Sequence, residues 1–426
     1  MSLASQLNVY IERYKLYIKS ASLYLTATVV TSAVKVLINP LMAANLSHED
    51  YAIIGYFGSF NQLILPILNF SIVTYYMRNY YILDESKRDR VGNTIVVSLF
   101  GIGLVSSIFV LSALHIYFKL SNVQFPFWPF AFYTVFQVVF NNFLTLLQVN
   151  YRLKREAKKF AIISIFSAAI WLVTAILLVV VFKLGANGSM AANLTVAILL
   201  GLYSIKKMLT RLEFDYAIFK DALKFCWPLA LSSILWYFLS GVDRLMLEKL
   251  DDNNTFALYN IGVTISGFLA MFYMAIAQTF EPDIYKAISD KKLKKLLTII
   301  VGIVIINAIP VIVFILFSKH LTSLLTAGHY TDAAPFASII SLKNITTSFY
   351  YSVISVIVGF GFSKEEFGLR AVGAIVCVVM FNALIGKYGF YGAAWGQVFS
   401  FLIMSIFGMF FLLYKIKTKS LYAKCQ

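Results

Sequence analysis

The chain has 426 residues, of which 60% are hydrophobic and only 13% charged, with a formal net charge of +16. A soluble protein of this size has too little interior to hide that much apolar surface. The positive charge alone would suit a nucleic-acid partner, but its placement, described below, argues against one.

Apolar runs of about 20 residues recur from end to end, each long enough as helix to cross a hydrocarbon core of ~30 Å. In chain order they cover 22–43, 51–74, 92–114, 128–150, 160–182, 186–205, 225–247, 256–280, 296–318, 335–360, 366–386 and 389–414. None alternates apolar with polar residues, as a transmembrane β-strand would. The expected fold class is therefore all-α integral membrane, with twelve transmembrane helices.

Charge in the connections supports that count. With Arg370, near the start of the eleventh run, counted with the connection before it, odd-numbered gaps, starting from the N-terminus, hold 28 Lys and Arg, and even-numbered gaps hold 5. The other three, Lys35, Arg244 and Lys343, fall inside runs. This alternation is the positive-inside pattern and places both termini in the cytoplasm. The stretches "RLKREAKK" (152–159) and "DKKLKKLL" (290–297) set topology and suit anionic membrane lipids. No cleavable signal peptide is expected, since no short early apolar segment ends in a small-residue cleavage site. Cys226, Cys377 and Cys425 are scattered and suggest neither a disulfide framework nor a zinc site. His48, His115, His320 and His329 stand near the external ends of runs, as ordinary loop histidines do.

The chain contains an internal repeat. "FKLGANGSMAAN" (182–193) resembles "GKYGFYGAAWGQ" (386–397), with Lys183, Gly185 and Gly188 matching Lys387, Gly389 and Gly392. "DYAIIGYFG" (50–58) resembles "TFALYNIGV" (255–263) at nearly the same offset. The expected domains are an N-terminal six-helix lobe (1–205), a cytoplasmic linker (206–224) and a C-terminal six-helix lobe (225–426). Six spans per lobe give both lobes the same orientation, a parallel duplication.

The repeat also aligns polar faces. Thr28, Ser32, Lys35 and Asn39 line one side of the first helix; an offset of 205 gives Ser233, Tyr237, Ser240 and Arg244 on the seventh. Two such helices facing each other would line a central cationic cleft. Arg244 has a second reading, in which it snorkels to the outer headgroups. Lys343 lies deeper, in "SLKNITTSFYY", with Thr347 and Tyr350 extending its face. Asp243 shares a helical face with Trp236 and Ser240. It is expected to bond to another helix, to orient Lys343, or to serve as a proton or cation site. Three cations against one anion suit an acidic or phosphorylated substrate. Trp236, Tyr237, Tyr350, Tyr351 and the amides scattered through the runs would suit sugars. The external connections are short, and no phosphate-binding glycine loop, metal-ligand cluster or catalytic triad is legible. Neither enzymatic activity nor a cofactor is expected.

The stretch 241–286 resembles the seventh and eighth helices of bacterial polysaccharide-export flippases. The matching residues are Asp243–Arg244, Ala257–Leu258–Tyr259, and Phe280–Glu281–Pro282–Asp283–Ile284–Tyr285. "KYGFYGAAWGQVFS" (387–400) is similar to the start of that family's last helix. The family lies within the multidrug/oligosaccharidyl-lipid/polysaccharide superfamily. The resemblance implies a flippase for an undecaprenyl-diphosphate-linked oligosaccharide in a bacterial inner membrane, serving O-antigen, capsule or a related polysaccharide. Its implied partners are the lipid-linked oligosaccharide, a polysaccharide polymerase and glycosyltransferases. Asp243 and Arg244 match the family pattern directly, and Lys35 and Lys343 match as cations on cleft helices. Two other classes stay open: a multidrug or small-solute antiporter of the same fold, and a membrane enzyme or scaffold of polysaccharide assembly.

The topology has a direct test. Lys154→Cys and Thr210→Cys are expected to resist an impermeant thiol reagent added to intact cells, whereas single cysteines within 251–254 or 325–330 should label. External labelling at 154 and 210 would overturn the twelve-span arrangement.

Overall fold

A computed structural model describes residues 23, 26–27, 29–80, 83–290, 292–360 and 362–417. Thr28, Cys425 and the side chains of Glu281, Pro282 and Tyr285 lie outside that description. Every regular element among the described residues is helical. The helices are α1 (Val29–Asn45), α2 (His48–Asn69), α3 (Val73–Asn79), α4 (Glu85–Ser121), α5 (Phe130–Leu153) and α6 (Ala157–Ala175), then α7 (Gly185–Met208) and α8 (Tyr216–Ser240). The rest are α9 (Asp243–Leu247), α10 (Asn253–Ser289), α11 (Leu293–Leu316), α12 (Ser318–Leu325), α13 (Ala334–Gly359) and α14 (Ser363–Lys417).

Nine helices among the described residues are long and apolar enough to cross a membrane. The last of them covers two expected runs, because α14 is broken at Gly389 (φ 55°, ψ −132°) into two helical limbs. Two expected runs fall outside the nine. The first appears as the shorter apolar helix α1. The tenth is the 26-residue α13, whose polar stretch around Lys343 and Asn344 lowers its hydropathy. Two boundaries differ from expectation. The second run stops at Asn69 because Phe70 and Ser71 take left-handed φ of 48° and 53°. The seventh, read as one helix to 247, ends at Ser240, and Asp243 opens the separate helix α9.

The described helices group into two compact units: the residues up to Asn45 with Ile64–Ala230, and Leu46–Leu63 with Leu231 onward. In the first unit, α5 packs on α4, α6 and α7. Gly201 of α7 brings that helix against the α5 backbone; a Cβ there would stand 2.7 Å from the Phe140 carbonyl oxygen. Neutral polar side chains tie these helices together. Asn69 donates to Asn142 (3.2 Å), Tyr76 to Asn150 (2.9 Å) and Gln148 to Ser164 (3.2 Å). Asn69, Asn142 and Gln148, amides suited either to tying helices together or to meeting sugars, here serve as interhelical ties. The connection after α7 is clamped to α4: Thr210 N donates to Asn93 at 3.0 Å, and Arg90 pairs with Glu213 (3.1 Å) and Asp215 (3.0 Å).

In the second unit, α13 packs on α10, α11 and α14. Gly262 and Gly408 permit two of these approaches; a Cβ at Gly262 would meet Phe336 at 2.8 Å, and one at Gly408 would meet Val353 at 2.7 Å. Asn260 of α10 lies against Gly55 of α2. Tyr330, whose hydroxyl donates to the Leu46 carbonyl, rests on the rings of His48 (4.8 Å) and Tyr51 (5.2 Å).

The repeated glycines share a backbone feature. Gly185 (φ 53°) and Gly389 (φ 55°) each take the left-handed conformation at the start of a helix. Three residues on, Gly188 faces the Leu178 carbonyl and Gly392 the Leu384 carbonyl, with no room for a Cβ at either. Gly389→Ala, where the nearest atom to a new Cβ is Leu250 Cδ1 at 3.9 Å, should cost only backbone strain of about 1–3 kcal/mol, because φ 55° with ψ −132° is a conformation that side chains avoid. Gly392→Ala should cost more, because it drives a methyl into backbone. Thermal unfolding of the detergent-solubilised variants checks this order, and equal melting temperatures would contradict it.

Candidate substrate-binding site

The centre of the second unit is a buried carboxylate. Glycine at 241 leaves room for the Tyr237 ring, since a Cβ there would stand 2.8 Å from it. The chain turns at Gly241–Val242 and aims Asp243 inward, where it is 0% exposed. Tyr259 of α10 donates its hydroxyl proton to Asp243 Oδ2. Gln397 of α14 donates to the same oxygen at 2.7 Å and to the Tyr259 hydroxyl at 3.2 Å. Lys343 of α13 donates from Nζ to Gln397 Oε1.

The amide orientation follows from charge. Turned the other way, Gln397 would set its NH2 against an ammonium and its carbonyl against a carboxylate. Gln397 therefore acts as a neutral bridge between Asp243 and Lys343. Asp243 Oδ1 and Arg244 Nε are also buried, without hydrogen-bond partners. Arg244 stands within electrostatic range of Lys343 and Tyr259. One anion against two cations leaves a local excess of positive charge.

An aromatic cluster adjoins this relay. The Trp236 ring lies 5.5 Å from Phe401, 5.7 Å from Tyr351 and 6.3 Å from Tyr350, and Tyr351 stacks on Tyr273 at 5.9 Å. Lys343 Nζ sits 5.5 Å from the centre of the Phe401 ring, within cation–π range. Phe401 thus touches both the charged relay and the aromatic wall. Arg370, counted among the loop charges in the sequence, turns toward this wall instead: it pairs with Glu366 and lies 6.0 Å over Trp236.

The structure brings Asp243, Arg244, Lys343 and Trp236 into one region of the second unit. Ser240, the last residue of α8, donates to Gln62 at 2.6 Å. Tyr237 is a core residue, 1% exposed, beneath Gly241. Lys35, exposed, and Asn39, half-buried, belong to the first unit. Asp243 does bond to other helices and holds Lys343, through Gln397. Neither Tyr259 nor Gln397 stood out in the sequence as a site residue. Tyr259 closes the Ala257–Leu258–Tyr259 pattern, and Gln397 is the last residue of the second repeat copy, where glycine spacing draws the eye.

A family model described as polysaccharide biosynthesis protein matches residues 17–287. The chain belongs to that family. The match includes Asp243, Arg244 and Tyr259, while Lys343 and Gln397 lie beyond it. Among solved structures, the lipid II flippase MurJ in an inward closed conformation superposes with a TM-score of 0.72, at 14% identity over 92% of this chain and 87% of that one. An inward-facing MATE family multidrug transporter of the MOP superfamily gives a TM-score of 0.70, at 15% identity over 95% and 99%. A MOP superfamily transporter from Pyrococcus furiosus, noted for the reversed polarity of its binding pocket, gives 0.64, at 16% identity over 96% of each chain. The fold is therefore that of MOP superfamily transporters. An uncharacterized membrane protein of Methanocaldococcus jannaschii is 21% identical over 197 residues, 45% of this chain; the chain spans under half, 46%, of that relative's length.

Gln397→Leu removes the bridge but little volume. It should lower the unfolding free energy by about 3–5 kcal/mol, the usual cost of stranding a buried charge. Adding Asp243→Leu and Lys343→Met, which removes both charges, should recover much of that loss. Melting curves of the single and triple variants provide the check; a Gln397→Leu protein that melts like the parent would show that the bridge is not a structural tie.

Proposed function

We propose that this protein is a flippase that carries a lipid-linked oligosaccharide, with an undecaprenyl-diphosphate anchor, across the bacterial inner membrane. It would act by alternating access, with twelve spans in two six-helix lobes (1–205 and 225–426), the linker 206–224 and both termini in the cytoplasm. The observation that carries this reading is the excess of positive charge at Lys343 and Arg244 beside the aromatic wall of Trp236, Tyr350 and Tyr351. Diphosphate needs cationic donors when it leaves water, and sugar rings pack their apolar faces on aromatic side chains. Membership of a polysaccharide biosynthesis family supports the same substrate class. Lys35 and Asn39 supply further polar contacts from the first half. The substrate would come from membrane glycosyltransferases and pass to a polymerase on the outer side.

A second reading, a multidrug or small-solute antiporter, draws support from Asp243 Oδ1. This buried oxygen without a hydrogen-bond partner could receive an organic cation. The MATE transporter likeness is compatible with it.

The two readings separate in reconstituted vesicles. Outward movement of an anion is downhill in a cell with a negative interior by about 2.3 kcal/mol per charge per 100 mV. A head with about two negative charges gains roughly 4–5 kcal/mol. A potassium-diffusion potential, without proton or sodium gradients, should therefore support flipping of a defined lipid-linked oligosaccharide. Lys35→Ala and Arg244→Ala should each slow it by about tenfold or more, as expected when a charge-assisted contact is lost, with Lys35→Arg and Arg244→Lys milder. Movement that ignores the potential and requires an ion gradient would reject the potential-driven mechanism and make Asp243 the coupling site. Export of organic cations without lipid flipping would select the antiporter.

A further inference from the structure

A cavity of about 860 Å3 opens in the first unit between α5, α6 and α7, far along the chain from the Asp243 site. Its volume falls in the range of ligand sites. Three lysines and one glutamate line it: Lys154, Lys159, Lys207 and Glu156. Glu156 is taken up by Lys159 at 2.7 Å. No ion pair to Lys154 or Lys207 is present among the described residues, and Lys207 lies 5.8 Å over the Tyr203 ring.

The three helices present the same order of side chains. On α5 it runs Leu147, Tyr151, Lys154; on α7 it runs Leu199, Tyr203, Lys207; on α6, which points the other way along the sequence, it runs Phe166, Ile162, Lys159. Spacings of three and four keep each series on one helical face. At 1.5 Å per residue, each lysine stands roughly 10–12 Å along its helix from the apolar end of its series. The trough is apolar and open, with Ile162 57%, Phe166 58% and Leu199 51% exposed. Between rim and trough, the Tyr151 and Tyr203 hydroxyls lie close enough to interact electrostatically. The floor is fixed, because Asn150 accepts the Tyr76 hydroxyl at 2.9 Å.

We propose that this cavity binds one anionic glycerophospholipid from the leaflet on the lysine- and arginine-rich side of the membrane. The cationic rim takes the phosphate, the tyrosine hydroxyls donate to the ester carbonyls, and an acyl chain lies in the trough. The layering of the cavity matches the layering of that lipid, with phosphate above ester and ester above hydrocarbon. A polyprenyl phosphate has the first and last layers but no ester carbonyls to meet the tyrosines, so the glycerophospholipid fits better. The site is built from the first unit alone and does not depend on the identity of the transported molecule.

Native mass spectrometry of the purified, delipidated full-length protein tests this, with phosphatidylglycerol, phosphatidylcholine and undecaprenyl phosphate as probes. One phosphatidylglycerol should be retained in preference to phosphatidylcholine by roughly tenfold or more, given the usual strength of lysine contacts at an anionic surface. Lys154→Gln with Lys207→Gln should bring that preference close to one. Lys87→Gln with Lys292→Gln, an equal charge loss away from the cavity, should leave it intact. Should the rim variant fail to fold, Leu199→Trp, which fills the trough, should expel the lipid. Retention of the lipid by Leu199→Trp, or equal loss of preference in the control pair, would overturn the proposal. Stronger retention of undecaprenyl phosphate than of phosphatidylglycerol would also overturn it and assign the cavity to the polyprenyl chain.

Discussion

A carboxylate sealed from water has to be matched by donors in place, and in the second unit that requirement falls on Asp243. Its two donors come from different helices, Tyr259 on α10 and Gln397 on α14, and Gln397 in turn fixes Lys343 on α13. Four helices, with α9, thus meet at one charge. Desolvating an isolated carboxylate costs far more than a single neutral hydrogen bond returns. The positions of α10, α13 and α14 therefore have to agree with one another around that oxygen. The break at Gly241 belongs to the same constraint. α8 ends at Ser240 and α9 opens at Asp243, and at Gly241 between them a side chain would meet the Tyr237 ring at 2.8 Å.

The two units meet their polar demands differently. In the first, the ties between helices are neutral: Asn69 to Asn142, Tyr76 to Asn150, Gln148 to Ser164. Its ion pairs between Arg90 and Glu213 or Asp215 lie at the helix ends. In the second, charged groups sit among the apolar stretches, as with Asp243, Arg244 and Lys343, or at their edge, as with Glu366 and Arg370. Neutral ties hold helices together without attracting ions. Buried charges do both, so the second unit is where an ionic ligand has most to gain.

The apolar runs made the helices legible from the sequence, and glycine spacing drew attention to Gly185 and Gly389, both of which take a positive φ. Asp243, Arg244 and Lys343 stood out because ionisable residues are rare inside such runs. The bridge between them was not legible. Gln397 is 154 positions from Asp243, and one amide among many carries no mark of its partner. The turn at Gly241 was hidden because glycine is tolerated inside membrane helices, and the Tyr237 ring that would clash with a side chain there is not marked in the sequence. Arg370 was misplaced for a simpler reason: a charge beside a connection reads as part of it, whereas Trp236 and Glu366 draw this one inward. Amides suit either sugars or neighbouring helices, and which of them tie helices together depends on which face each helix turns inward.

The prolines add a mechanical consequence. The chain passes between the compact units at 45/46, 63/64 and 230/231, and a proline stands within five residues of each passage: Pro40 in α1, Pro66 in α2 and Pro228 in α8. A proline inside a helix deletes one backbone hydrogen bond and crowds the turn before it, so that turn bends more easily than its neighbours. The connection after α7, by contrast, is stapled to α4 by Asn93 and Arg90. The turns that proline weakens thus stand inside helices at the passages between the units, whereas the long polar connection that looks like a flexible joint is tied to α4.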